Sequence, residues 1–199
     1  MSKFIIAISG ASGSAYGVAI IKGLAGAGHS VSITATREGL SILKDETGLD
    51  WSGDNENAVT EKIEKDLVLG FGTAAFYHED NLYAPIASGS YCAGGMVVAP
   101  CSMKTLAGIA TGYSNNLIER AADVMLKERR NLVIIPRETP LSEIHLENML
   151  RLARMGVRVL PAMPGFYNHP KTVEDMVNSI AGRALDLLGV ENELYPRWG

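Results

Sequence analysis

Apolar residues recur along this chain in short continuous runs, separated by longer segments with an amphipathic period. Such runs are typical of strands buried on both faces, and the intervening segments have helical length. The pattern predicts five strands: Phe4–Ser9, Ser30–Thr36, Gly95–Ala99, Leu132–Pro136 and Val157–Leu160. It predicts helices at Ser14–Ala27, Leu40–Glu46, Thr60–Leu69, from Ser102, Asn115–Arg129, Ser142–Met155 and Thr172–Leu188. This alternation indicates a single α/β domain, a Rossmann- or flavodoxin-like parallel sheet with helices on both faces.

Three segments depart from this pattern. Gly48–Asn57 is polar, and we expect it to be a surface excursion. Gly72–Tyr91 has no clear period and is left unassigned, although long irregular segments in compact domains are often functional. Pro100 is expected to stop the third strand at Ala99, because proline cannot donate to a sheet ladder.

Composition excludes several classes of protein. The 199 residues, 47% of them hydrophobic, suit one globular domain, and a net charge of −4 argues against a nucleic-acid or anionic-membrane surface. The two cysteines, Cys92 and Cys101, build neither a disulfide framework nor a cysteine-based zinc site. No run approaches transmembrane length, and the first apolar run is too short for a signal peptide. We expect a cytoplasmic protein without a metal site.

Ligands of open parallel sheets bind beyond the carboxyl ends of the strands, so the loops there are the candidates. The first loop is glycine-rich from Gly10 to Gly17 and opens a helix, where free N–H groups attract anions. Its spacing is not that of a dinucleotide site, and Arg37 stands where an acidic ribose ligand would be expected. A phosphate-bearing ligand is therefore favoured over NAD, with a plain strand–turn–helix junction as the alternative.

Two further loops place hydroxyl groups at helix starts. Thr36 and Ser102 suit either ligand binding or ordinary helix capping, and from the residues alone capping is favoured. Cys101 has no histidine nearby in sequence and is interpreted as a packing residue.

Charged residues gather around the fourth loop. Arg137 and Glu138 follow a strand of apolar residues, and Arg120 and Lys127 lie two turns apart on one helix. A surface ion pair between Asp123 and Lys127 is the simpler explanation for that lysine. In the fifth loop, prolines flank Tyr167, which suits a positioned phenol or a structural tyrosine.

Taken together, eight segments of the chain resemble the UbiX family of flavin prenyltransferases nearly end to end. Any one is weak, but their joint order and spacing are specific. They are Gly10-Ala11-Ser12-Gly13, Ala87-Ser88-Gly89-Ser90, Pro100-Cys101-Ser102-Met103-Lys104-Thr105, the segment from Asn116 to Asp123, the segment from Leu126 to Arg130, the segment from Pro136 to Leu141, Pro164-Gly165-Phe166-Tyr167, and Pro196-Arg197-Trp198.

The resemblance implies an enzyme that transfers a dimethylallyl group from dimethylallyl phosphate to N5 and C6 of reduced FMN, without a metal. It implies a homo-oligomer, typically a dodecamer, with active sites at subunit junctions and with residues 190–199 packing at an interface. The prenylated FMN would serve a UbiD-type decarboxylase.

Site residues are carried over by position. The cofactor-binding set is Gly10, Ala11, Ser12, Thr36, Ser102, Met103, Lys104, Thr105, Arg120 and Arg137. The donor-phosphate set is Lys127, Arg137, Tyr167 and Arg183, and the catalytic set is Ser12, Glu46, Lys127 and Glu138. Ser90, Tyr83 and Trp198 are assigned to the prenyl pocket. Leu82 and Tyr83 stand where the family often has tryptophan, so three alternatives stay open: an aromatic wall from Tyr83, one from Trp198, or a weaker wall.

Three other interpretations were weighed. A phosphopantothenoylcysteine-type decarboxylase would carry P-x-M-N-x-x-M-W, but Pro164 stands here in place of its asparagine. An NADP oxidoreductase with a Y-x-x-x-K pair from Tyr167 to Lys171 is rejected, because the pair requires both side chains on one helix face and Pro170 interrupts that helix. A non-catalytic flavin-binding subunit would be expected to have lost at least one of the charged candidates.

Overall fold

Six parallel strands form one sheet in the computed structural model, which describes residues 1–197. Trp198, expected in the prenyl pocket, lies outside the described residues. The strands are β1 Lys3–Ile8, β2 Ser30–Ala35, β3 Ala74–His78, β4 Gly95–Cys101, β5 Leu132–Pro136 and β6 Arg158–Val159. Their spatial order is β3-β2-β1-β4-β5-β6, the Rossmann order, which reverses direction between β1 and β4. A ligand crevice is therefore expected between the loops that follow these two strands.

Within the described residues, seven α-helices pack on the sheet: α1 Ser14–Gly26, α2 Arg37–Thr47, α3 Glu56–Asp66, α4 Met103–Thr111, α5 Leu117–Lys127, α6 Glu143–Arg154 and α7 Val173–Leu188. A short 3-10 helix covers Pro85–Ala87. The five strands and seven helices expected from the pattern are confirmed, with boundaries that shift by a few residues.

Each central strand buries alternate side chains in two separate cores, which confirms a sheet covered on both faces. Odd and even positions of one strand point to opposite sides, so one apolar run serves both cores. In β1, Ile6 and Ile8 face a core shared with α1, α2, α3 and α7, whereas Ile5 and Ala7 face one shared with α4, α5 and α6.

The unassigned segment contains the edge strand β3, which the apolar pattern did not reveal. Of this strand only Ala74 and Phe76 are buried, both in the core shared with α3, and its outer edge has no strand partner. Side chains from three successive turns of α3 cover that edge and accept hydrogen bonds from its backbone N–H groups. These are Glu64 Oε1 from Ala74 at 3.0 Å, Thr60 Oγ1 from Phe76 at 2.8 Å and Glu56 Oε1 from His78 at 2.8 Å.

Two other expectations were wrong. The polar segment Gly48–Asn57 is not a simple surface excursion, because Trp51 within it is completely buried and its Nε1 donates to Asp66 Oδ2 at 3.2 Å. Strand β4 also does not stop at Ala99. It continues through Pro100 to Cys101, with a local register shift against β5.

Cys101 is fully buried, as expected for a packing residue, and burial raises the pKa of its thiol. Among the helices of the described chain, none combines the length and hydropathy needed to cross a bilayer. Within residues 1–197, no cluster of three or more His, Cys, Asp or Glu side chains is arranged to hold a metal ion.

Close packing of α1 against the sheet can be tested at Gly17. A Cβ there would lie 2.5 Å from the backbone oxygen of Ala99, which cannot move without displacing β4. We expect Gly17→Ala to lower the free energy of unfolding by about 2 kcal/mol or more, as overpacking does. Urea denaturation measures this. Gly26→Ala is the matched control, since a Cβ at Gly26 meets nothing within 4 Å. Equal stability of the two variants would contradict the close approach.

Candidate active site

Backbone N–H groups of the glycine-rich turn after β1 donate hydrogen bonds to the carboxylate of a glutamate on α2. Gly13 adopts a left-handed conformation, with φ of 108°, and starts α1 without a side-chain cap. Its N–H and that of Ser14 donate instead to the carboxylate of Glu46, at 3.0 Å and 2.8 Å. A free helix N-terminus attracts anions, and here the end of α2 supplies one.

The surroundings of Glu46 favour its ionised form. Burial raises the pKa of this carboxyl, but hydrogen bonds from the Ser12 hydroxyl and from the Ser14 and Gly13 amides outweigh it. The net result is a pKa below the ordinary value. Glu46 and Ser12, both assigned to the catalytic set, are therefore neighbours at the start of α1.

A buried serine that sequence analysis did not select joins the loops after β1 and β4. The Ser9 hydroxyl donates to the Pro100 carbonyl at 3.0 Å and accepts from the Ser102 N–H at 2.8 Å. Its only sequence signal was a serine ending an apolar strand. This bridge fixes the two loops across the point where the strand order reverses.

Both loop hydroxyls expected to cap helices do so. Thr36 Oγ1 accepts from the Gly39 N–H at 3.0 Å, and Ser102 Oγ accepts from the Thr105 N–H at 3.3 Å. The Ser102 hydroxyl also donates to Thr105 Oγ1 at 3.1 Å. Met103 and Lys104 lie in the first turn of α4, so the second segment expected to bind FMN coincides with a helix start.

The loop after β5 joins the same group. Arg137 Nε donates to the Ser12 carbonyl at 3.2 Å, and its backbone N–H donates to the Cys101 carbonyl, also at 3.2 Å. Glu138 is exposed, and its carboxylate accepts from the N–H of Thr139 at 3.0 Å. The structure thus brings together Ser12, Glu46, Arg137 and the start of α4.

A second group forms at the end of α5. Lys127 pairs with Glu128, so the expected ion pair with Asp123 was wrong. A Cβ at Gly89 would lie 2.8 Å from Lys127 Nζ, so the Ser88–Ser90 turn approaches this lysine closely. Arg130 holds the turn in place by donating to the carbonyls of Gly89 at 2.7 Å and Tyr91 at 2.6 Å.

Three further candidates for the prenyl and cofactor sets are Ser90, which belongs to this turn, Arg120 and Tyr83. Ser90 Oγ is 2.9 Å from Ser88 Oγ, and Arg120 is half-buried on α5. The Tyr83 side chain is completely exposed in the single chain.

A third group contains the other two candidates for phosphate binding. The ring of Tyr167 lies against Gly165 and is 59% exposed. Arg183, on α7, is half exposed and pairs with Asp186 Oδ2 at 3.3 Å. Lys127 and Arg183 therefore each pair with an acid on their own helix or helix end.

A cavity of about 540 Å³ opens at the ends of β2 and β3. This volume is within the range of small-molecule sites. Its lining includes Ala35 and Arg37, the residues on either side of Thr36, together with His78, Glu79 and Asn115.

Comparison with known proteins decides which family has this arrangement. The flavoprotein family model matches residues 1–185. The flavin prenyltransferase UbiX of Halalkalibacterium halodurans is 48% identical over 196 residues, covering 98% of this chain and 93% of the relative. That of Methanothermobacter thermautotrophicus is 46% identical over 198 residues, covering all of this chain and 96% of the relative.

The chain belongs to the UbiX family of flavin prenyltransferases. Solved structures agree with this family assignment. The UbiX-family chain superimposes with a TM-score of 0.87 on a dodecameric FMN-dependent UbiX-like decarboxylase from Escherichia coli O157:H7, at 41% identity and 99% coverage of both chains. It superimposes with a TM-score of 0.86 on AnUbiX (PadA1) in complex with FMN and dimethylallyl pyrophosphate, at 35% identity. That match covers 100% of this chain and 97% of AnUbiX.

Ionisation of Glu46 gives this UbiX-family chain a testable pH dependence. Its folded pKa is depressed, so its stabilising contribution is present above the unfolded value and is lost as pH falls through the folded pKa. We expect Glu46→Gln to be less stable than the native chain at about pH 7, with the difference shrinking by about pH 3.5. Urea unfolding at both pH values measures it.

The matched control is Glu61→Gln, a change at an exposed glutamate of α3. It should leave stability unchanged at about pH 7. A Glu46→Gln deficit that persists undiminished in acid would show that the carboxylate charge is not what holds the Gly13 turn.

Proposed function

We propose that this chain is a metal-independent flavin prenyltransferase that joins the dimethylallyl group of dimethylallyl phosphate to N5 and C6 of reduced FMN. The observation that carries the proposal is the meeting of Ser12, Glu46, Arg137 and the start of α4 at the strand-order reversal. Curated UbiX relatives share 41–50% identity along nearly the whole chain, which supports the proposed activity.

The residues at the reversal fit FMN. The carboxylate of Glu46 binds the backbone N–H groups of Gly13 and Ser14 and so fixes the turn beside the proposed flavin site. Gly10, Ala11 and Ser12, together with Thr36, supply one side of the flavin site, and Ser102 to Thr105 supply the other. Arg120 and Arg137 contribute positive charge. When bound and reduced, FMN supplies the two ring positions that accept the prenyl group.

Cations stabilise the departing phosphate in this proposal. Loss of phosphate from an allylic carbon concentrates negative charge on the leaving group, and preorganised donors lower the barrier to that step. Lys127, Arg137 and Arg183 supply the cations, and the Tyr167 hydroxyl supplies a hydrogen bond. This donor set explains why no metal is required.

The phosphate clamp is completed between subunits. In the single chain, Lys127 and Arg183 each pair with a neighbouring acid and are about half exposed, while Arg137 contacts Ser12. Assembly of a homo-oligomer would bring these cations together from different copies. We propose a dodecamer, as described for the E. coli relative, with residues 190–199 at an interface.

A second argument for assembly of a homo-oligomer comes from the proposed prenyl pocket. An allyl cation requires a dry, electron-rich wall, which aromatic faces provide. Tyr83 is completely exposed in the single chain, so a neighbouring subunit must cover it before it can form such a wall. Ser90 and Trp198 complete the proposed pocket.

Glu138, Glu46 and Ser12 are the residues proposed to handle protons. Glu138 is exposed at the end of β5 and can accept the proton released from C6 after ring closure. Ser12 orients the N5 region by hydrogen bonding. Glu46, beside Ser12 and ionised, holds that hydroxyl and the Gly13 turn in place.

The product is proposed to pass to a UbiD-type decarboxylase in the cytoplasm. The alternative, a phosphopantothenoylcysteine-type decarboxylase, has less support, because the PPC decarboxylase structure shares only 19% identity and a TM-score of 0.55. That likeness concerns the fold alone.

The direct test is anaerobic incubation of the protein with reduced FMN and dimethylallyl phosphate, followed by mass spectrometry of the released flavin. We expect the flavin mass to rise by one five-carbon unit, because donors on four segments stabilise phosphate departure. A protein-free reaction is the control. Recovery of unmodified FMN would contradict the enzyme proposal and would favour a non-catalytic flavin-binding protein.

The variant Glu138→Gln tests whether Glu138 is needed for turnover but not for FMN binding. The amide keeps the shape of the side chain but cannot accept a proton, so we expect kcat to fall about 100-fold or more while FMN affinity stays unchanged. Stopped-flow spectroscopy and FMN titration measure the two quantities. Glu147→Gln, at an exposed position of α6, is the control. A normal kcat would remove Glu138 from the mechanism.

A further inference from the structure

One carboxylate on α7 collects hydrogen-bond donors from the C-terminal segment, defined here as residues 191–197. Asp186 lies one turn after Arg183, and its side chain is 17% exposed. Oδ2 accepts from the Tyr195 hydroxyl at 2.6 Å, Arg197 Nη1 at 2.8 Å and Arg183 Nη1 at 3.3 Å, and Oδ1 accepts from Asn192 Nδ2 at 2.9 Å. Four donors satisfy both oxygens of a single carboxylate.

Asp186 stays charged despite its partial burial. Burial raises the pKa of this carboxyl, but hydrogen bonds from Arg197, Tyr195 and Asn192 outweigh it and lower the pKa below its ordinary value. Charge-assisted hydrogen bonds of this kind fix geometry more strongly than neutral ones.

The contact with Asp186 orients the guanidinium of Arg183 and leaves some of its N–H groups available for a ligand. Nη1 faces Asp186 Oδ2 and lies 3.5 Å from the Tyr195 hydroxyl. Within residues 1–197, Nε and Nη2 of Arg183 have no hydrogen-bond partner. Guanidinium is a rigid planar group, so a carboxylate that holds one nitrogen also sets the direction of the others. The remaining donors suit a phosphate.

The C-terminal segment also contacts the loop that carries Tyr167. The Pro196 carbonyl accepts from Asn168 Nδ2 at 3.4 Å. On α7, the ring of Tyr195 packs so closely on Gly182 that a Cβ there would overlap it. Arg183 and the Tyr167 loop, two parts of the proposed donor-phosphate site, are therefore connected through one segment that Asp186 anchors.

We infer that Asp186 is a positioning residue of the prenyl-donor site, which orients Arg183 toward the donor phosphate and anchors residues 191–197 beside the Tyr167 loop. This inference rests on the proposed function, because that function assigns Arg183 to the phosphate. Asp186 itself contacts the arginine and the C-terminal segment rather than the substrate.

A double-mutant cycle with Arg183 tests the inference by binding alone. Dimethylallyl phosphate is titrated calorimetrically into the FMN-loaded, oxidised protein, in which no turnover occurs, for the native chain, Asp186→Asn, Arg183→Met and the double variant. We expect Asp186→Asn to weaken binding about tenfold in the native background and less than about twofold beside Arg183→Met. FMN affinity should be unchanged.

Tyr195→Phe provides a second variant that keeps the ring packed on Gly182. It removes only the hydroxyl, which donates to Asp186 and accepts from Arg183 and Arg197. We expect a loss of about threefold that also disappears beside Arg183→Met. If Asp186→Asn fails to fold, Tyr195→Phe still tests whether this hydrogen-bond network acts on donor binding through Arg183.

Three results would overturn the inference: unchanged donor binding in Asp186→Asn, an equal loss in both arginine backgrounds, or no donor binding by the native protein. The native protein is also assayed for the prenylated flavin. If donor binding follows the expected cycle but no adduct forms, the proposed function fails while the role of Asp186 in phosphate binding stands.

Discussion

The reversal of strand order between β1 and β4 is the constraint on which the rest of the site depends. Neighbouring connections leave the sheet on opposite faces there, so two loops diverge and expose the starts of two helices. Ser9 spans the gap with one hydroxyl, which binds the carbonyl of Pro100 and the N–H of Ser102. The spacing between the Gly13 turn and the start of α4 is thereby fixed by buried atoms rather than by flexible side chains.

Charged side chains lie at defined positions around the two loops that Ser9 joins. Glu46 satisfies the N–H groups at the start of α1, and Arg137 reaches back from β5 to the Ser12 carbonyl. Lys127 and Arg183 stand apart, each paired with a local acid. In the proposed function, this arrangement supplies a preformed edge for the flavin, and neighbouring subunits complete the phosphate clamp.

The sequence predicted the central part of this fold well because buried parallel strands produce continuous apolar runs. It missed β3 because an edge strand buries only alternate residues, and its outer N–H groups bind side chains of α3 instead of a strand. Trp51 was missed because a single buried anchor inside a polar segment leaves no period. The loops after β1, β4 and β5 were chosen correctly as neighbours, since parallel strands end at one edge. Ser9 and Asp186 were not chosen, because hydrogen bonds between distant segments leave no local pattern.

A crystal structure of the oligomer with FMN and dimethylallyl phosphate tests the central claim most directly. The account predicts the flavin between the Gly10–Gly13 turn and the start of α4 of one subunit. It predicts the phosphate bound by Arg137 together with Lys127 or Arg183 of a neighbouring subunit. A flavin bound away from the β1–β4 reversal, or a phosphate clamp formed entirely within one chain, would contradict it.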